Sequence, residues 1–149
     1  MGKETDPQER AALEQKVADM VQQSKMLESY LNDILTRESA LSRLIEEANL
    51  ASEALQALSG ESDTDSIIPL GIGIYARSTI GTLGNLLVNI GAGITVEKSK
   101  ASTIDYVESR IKEFELGIRQ LTLQKQQVTA RLNQIQNEIN AVIQNSTNK

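Results

Sequence analysis

The chain has 149 residues, 40% of them apolar and only 3% aromatic, with a formal net charge of −5. It holds no Cys and no His, which excludes thiolate nucleophiles, disulfides, Cys/His metal centres and imidazole acid–base chemistry. An acidic chain without a basic patch is a poor candidate for binding nucleic acid. Four rings, Tyr30, Tyr75, Tyr106 and Phe114, are few for a globular core of this length, so burial along narrow seams of Leu, Ile and Val is expected.

The residues fall into three segments, read as one domain over 1–149. Residues 6–59 contain no Gly and Pro7 as their only Pro; 60–98 contain seven of the nine Gly; 99–145 contain Gly117 alone. Gly and Pro punctuate non-helical structure, so the pattern predicts helix, β-rich insert, helix. The first helix opens at Asp6-Pro7-Gln8-Glu9, with Asp6 as N-cap, Pro7 in the first helical position and Glu9 placed for a capping box. Alternating steps of four and three from Leu13 reach Val17, Met20, Ser24, Leu27, Leu31, Ile34, Glu38, Leu41, Ile45, Ala48, Ser52 and Leu55. Ten of these 13 positions are apolar, which is a heptad seam. Gly60 follows as a C-cap.

The insert, 60–98, reads as short strands. Ile67-Ile68-Pro69-Leu70 is a first run, with Pro69 marking an edge or strand end. Ile72 to Ile80 is a second, in which Ile72, Ile74, Ala76 and Ile80 share one face. Gly81 to Asn85 is a turn cluster, Leu86 to Ile90 a third strand, Gly91-Ala92-Gly93 a turn and Ile94 to Glu97 a fourth strand. Two hairpins of this size cannot bury an apolar face alone, so the insert is expected to be an oligomerisation surface.

Ser99 or Ser102 caps the last helix. Its stripe runs Ile104, Val107, Ile111, Phe114, Ile118, Leu121, Lys125, Val128, Leu132, Ile135, Ile139 and Val142, and only Lys125 interrupts it, with a stem able to lie along the seam. The two helices are nearly equal in length, which favours folding back into an antiparallel coiled coil. Their charges suit pairing: 6–59 carry ten acids and five bases, 100–144 five acids and six bases, a weak effect at a surface.

Motifs for catalysis are thin. Gly71-Ile72-Gly73-Ile74-Tyr75-Ala76 fits G-x-G-x-x-A, but no helix follows it, and no acid lies between Ala76 and Thr95 where a ribose partner is needed. No phosphate-binding G-x-x-x-x-G-K-[ST] loop occurs. Acid pairs such as Glu46-Glu47 belong to solvated helix faces without a cleft to shift their chemistry. The sequon Asn145-Ser146-Thr147 is a pattern only, because Met1 to Arg10 is polar and charged and lacks a secretory core. No apolar run approaches the ~20 residues of a membrane helix. A cytoplasmic, membrane-free protein is expected, without cofactor and without enzyme activity; the Cys-free composition fits a reducing compartment.

The far ends of the seams carry a sharper possibility. Leu13, Val17 and Met20 are expected near Ile135, Ile139, Val142 and Ile143, in surroundings dense in Gln and Asn. Frayed helix ends there expose apolar side chains, which suits weak capture of unfolded chains; an ordinary coiled-coil end fits the periodicity equally well.

Three stretches, IPLGIGIYARSTI from Ile68, LLVNIGAGITVEKS from Leu86 and YVESRIKEFELGI from Tyr106, are similar to the strand–hairpin–helix passage of the prefoldin α class. The resemblance covers nearly the whole chain, and two hairpins match the α class, where the β class has one. It implies a mainly α fold, a long antiparallel two-helix coiled coil joined by two β-hairpins that form an intersubunit barrel. It further implies a hexamer of two α and four β-type subunits that binds non-native proteins at the coiled-coil tips without ATP and passes them to a group II chaperonin. On that basis Ile72, Ile74, Leu87, Ile90, Ile94 and Val96 build the barrel, and Leu13, Val17, Met20, Ile135, Ile139 and Val142 meet clients. A filament-forming prefoldin-like protein and a coiled-coil scaffold without client binding are the alternatives.

Overall fold

The structure is a computed structural model that describes residues 6–58 and 60–148. Its elements run α1 (Pro7–Ala57), β1 (Thr64–Gly71), β2 (Ile74–Ile80), β3 (Leu86–Gly91), β4 (Ile94–Lys98) and α2 (Lys100–Thr147). The residues pack as two compact units, one of Met1–Leu41 with Gly117–Lys149 and one of Ser42–Leu116.

Both helices start where their sequences provide caps. Asp6 accepts the amide of Gln8 at 3.2 Å through Oδ1, and its carbonyl accepts Arg10 N–H at 3.1 Å. Pro7 fills the first helical position, where its missing N–H has no partner to lose. At α2 it is Ser99 that caps, its Oγ accepting Ser102 N–H at 3.1 Å.

In the first unit the two helices pack antiparallel along the heptad seam. Met20, Ile135 and Ile139 form one buried cluster, with Val17, Leu27 and Val142 against it. Ile34, Leu121 and Val128 form the next, flanked by Leu27, Leu31, Leu41 and Leu132. Ile135 is 0% exposed and Ile34 1%, and burying each such side chain contributes roughly 1.5–3 kcal/mol. Of all seam positions in α1 and α2, only Leu13 is left exposed. The two charged interruptions of the seams face each other: Lys125 Nζ donates to both carboxylate oxygens of Glu38, at 3.0 and 2.8 Å. Tyr30 Oη donates to Gln124 Oε1 at 3.3 Å, and Arg131 to Gln23 Oε1 at 3.4 Å, tying the flanks. Gly117 lets the helices approach closely, since a Cβ there would lie 3.0 Å from Leu41 Cδ1.

The second unit carries two separate two-stranded antiparallel sheets, β1–β2 and β3–β4. They repeat one design. Pro69 pairs with Tyr75 and Gly71 with Ile74, leaving Leu70 as a bulge; Asn89 pairs with Thr95 and Gly91 with Ile94, leaving Ile90 as a bulge. Each hairpin closes through two residues with positive φ, Ile72 (43°) and Gly73 (79°) in the first, Ala92 (51°) and Gly93 (75°) in the second. This is the turn whose twist matches paired strands, and it is usually built from Asn-Gly.

That turn corrects one sequence expectation. Ile72 does not open the second strand or share a face with Ile74; it stands at the hairpin tip, 99% exposed. With Gly71 paired to Ile74, only two residues remain to reverse the chain, and both must take positive φ. Gly73 does so freely, while β-branched Ile72 is held in a region it rarely adopts. At the start of α2, Lys100 Nζ donates to the Leu58 carbonyl just past the end of α1, and Thr103 Oγ1 donates to Ser99 O at 2.8 Å.

Candidate functional site

Two apolar surfaces stand out, one in each unit. The first lies where α1 begins and α2 ends. Seam geometry divides the six residues expected to meet clients. Met20, Ile135 and Ile139 are buried between the helices, and Val17 and Val142 are half-covered against them; only Leu13 is exposed. As folded, the inner three hold the end of the coil together. The accessible apolar atoms come from Leu13 with Val21, Met26 and Ile143, which sit beside the seam rather than on it. Ile143 also anchors the end of α2, its carbonyl accepting the hydroxyls of Ser146 at 2.7 Å and Thr147 at 2.8 Å. Val21 and Met26 escaped the seam count because a strict three–four step skips flanking positions; a wider helical stripe would have included them.

The second surface is the pair of hairpins. Register places Ile68, Leu70, Ile74 and Ala76 on one face of β1–β2, and Ile67, Pro69 and Tyr75 on the other. Both faces carry large apolar side chains towards the hairpin end, and Ile67, Ile68, Leu70, Ile74 and Tyr75 are all exposed. On β3–β4, Val88, Ile90, Ile94 and Val96 share a face, while Leu87, 72% exposed, lies on the opposite one with Asn89, Thr95 and Glu97. The expected assembly residues therefore occupy three places: Ile72 at a tip, Leu87 on the face of Asn89, and Ile74, Ile90, Ile94 and Val96 on the faces that carry Ala76 and Val88, where Val96 is half-buried and the three Ile are exposed. Val88, which the sequence reading left out, is the one buried strand residue of the insert. Its alternation with Val96 and Ile90 was the available signal. Asn89 Oδ1 accepts Gly91 N–H at 2.9 Å and so fixes the bulge beneath the second turn.

Among the described residues no three acids, cysteines or histidines cluster as metal ligands, and no helix is long and apolar enough to cross a membrane. The arrangement offers non-directional apolar contact and unpaired strand edges.

Comparison with known proteins identifies the architecture. The family model described as "Prefoldin subunit" matches residues 27–145. The chain belongs to the prefoldin family. Relatives bearing the name "Prefoldin subunit alpha" include that of Nitrosopumilus maritimus, 35% identical over 131 residues, spanning 88% of this chain and 90% of the relative. Another, from Methanospirillum hungatei, is 32% identical over 120 residues, covering 76% and 80%. A third, from Methanoculleus marisnigri, is 30% identical over 138 residues, covering 93% and 88%. Among solved structures, a filamentous prefoldin from Methanocaldococcus jannaschii matches with a TM-score of 0.65 at 15% identity, over 76% of this chain and 95% of that one. That likeness concerns the fold. Prefoldins are a chaperone family, and the two long helices with a two-hairpin insert are the prefoldin fold.

Proposed function

We propose that this chain is the α-type subunit of an ATP-independent holdase. The observation that carries the reading is the exposure of both hairpins: two-stranded sheets with Ile67, Ile74, Tyr75, Leu87, Ile90 and Ile94 in solvent are incomplete by themselves. Completion by other prefoldin subunits, two copies of this chain with four β-type subunits, gives those faces and edges partners in an intersubunit barrel. In this reading the chain acts as one domain over 1–149, and Ile72, Ile74, Leu87, Ile90, Ile94 and Val96 supply assembly contacts.

The start of α1 and the end of α2 supply client contacts. Leu13, Val17 and Val142 present apolar surface as folded, joined by Val21, Met26 and Ile143; Met20, Ile135 and Ile139 join only when the last turns part. Each contact is weak and lacks sequence preference, and several subunits around one client multiply them through effective concentration. Weak multivalent holding permits release to a group II chaperonin in the cytoplasm. The cycle uses apolar contact throughout and calls for neither nucleotide nor cofactor.

Native mass spectrometry of the chain with a β-type partner tests assembly, and suppression of client aggregation tests capture. Two-plus-four complexes are expected, and Ile94→Asp should abolish them. Leu13→Ser with Ile143→Ser should keep the complex and reduce aggregation suppression several-fold. A ladder of homo-oligomers would overturn the hexamer, and full suppression by the tip variant would overturn client binding there.

A further inference from the structure

The two helical seams contain only two charged residues, Glu38 in α1 and Lys125 in α2, and those two meet. Lys125 Nζ lies 2.8 Å from one carboxylate oxygen of Glu38 and 3.0 Å from the other, with side-chain exposures of 32% and 26%. The surroundings are apolar: Ile34, Leu121 and Val128 form a buried cluster of this seam, with Leu31, Leu41 and Leu132 against them. We propose that Glu38–Lys125 is a register lock, the contact that selects one alignment of α1 against α2 from those the heptad repeat would otherwise allow.

The need for such a lock follows from the repeat. A seam of Leu, Ile and Val looks much the same after a shift of seven residues, so apolar packing alone distinguishes registers poorly. A single polar group in a coiled-coil seam is a well-attested way to specify alignment, at some expense of stability. Here the shifted registers are penalised by charge. Sliding one heptad in one direction sets Glu38 against Leu132. Sliding in the other sets Glu38 against Ile118 and Lys125 against Leu31. In either case a carboxylate enters an apolar hole without its ammonium partner, the arrangement that interiors tolerate least. The native register alone pairs both charges. By fixing that register the pair also fixes which residues meet at the open end of the coil, where Met20 packs on Ile135 and Ile139.

The absence of Cys from the chain makes the test direct. Two reporter pairs are introduced separately into the full chain: M20C with I139C reads the native register, and M20C with L132C reads a one-heptad slip. Intrachain disulfide yield is measured in three backgrounds: wild type at 38 and 125, the apolar replacement E38L with K125L, and the charge exchange E38K with K125E. The apolar replacement is expected to fold, with a melting temperature at or above the parent, yet to raise the yield of the slipped pair relative to the native pair by tenfold or more. The charge exchange is expected to keep the parental ratio. An apolar replacement that retains the parental ratio would overturn the lock, as would a charge exchange that slips as much as the apolar one. Melting temperature alone is not decisive; the ratio is the readout that a merely stabilising pair would not move.

Discussion

In the helical unit, Ile34 and Ile135 are sealed between α1 and α2; in the hairpin unit, Ile67, Ile74, Leu87 and Ile94 stand in solvent. Both regions are rich in the same residue types, so hydrophobicity alone does not separate them. The difference is in partners. Each helix finds an apolar stripe on the other half of its own chain, whereas each hairpin has one partner strand and leaves most of its large apolar side chains in solvent. The helical seam is satisfied within the molecule. The hairpins carry their unsatisfied apolar surface outward, which is what makes them suitable for association and unsuitable for standing alone.

Substitutions can break this contrast at its strongest point first. Ile135→Ala empties a fully covered site and is expected to destabilise the helical unit by about 2–5 kcal/mol, read as a lower melting temperature by circular dichroism with hairpin-mediated assembly retained at low temperature. An unchanged melting temperature would mean that the seam is not the source of stability. Next comes the strained turn. Ile72→Asn substitutes a residue that accepts positive φ, and is expected to protect β1–β2 by about 1 kcal/mol in amide exchange. Weaker assembly is expected in the same variant, because the Ile72 side chain supplies an assembly contact in the proposed complex; unchanged assembly would remove Ile72 from that contact. The smallest effect is expected at Gly117. Ala there gains helix propensity of roughly 1 kcal/mol, partly offset as the end of Leu41 yields to a contact of 3.0 Å. A net gain of about 0.5 kcal/mol is expected by urea titration; a loss would mark the notch as rigid.

Much of the fold is legible in the chain because helices and caps are local. Steps of three and four from Leu13 and Ile104 mark side chains that are covered at every position but Leu13. Asp6 and Ser99 cap as their chemistry suggests. Ile72 was misplaced because a β-branched residue between glycines looks like strand, and the reversal appears only once Gly71 is seen to pair with Ile74. The tip was harder, since seam periodicity names Met20 and Leu13 alike while packing buries the first and leaves the second outside. Likewise, Glu38 and Lys125 each show as an interruption of its own helix, and only the antiparallel alignment makes them a pair.

Pro69 carries a consequence for growth by strand addition. It sits inside the β1–β2 ladder opposite Tyr75, and proline is accepted in a ladder only where its nitrogen faces away from the neighbouring strand. The outer margin of β1 therefore lacks a donor near its hairpin end. At the matching place in β3 stands Asn89, which keeps its amide hydrogen. A third strand zipped onto the first hairpin is favoured alongside β2, while the matching edge of the second hairpin keeps its full set of donors at that position. Pairing that spreads outward from this chain is thus weakened on one flank by a single missing hydrogen, a restraint on runaway sheet growth written into the same stretch that invites partners.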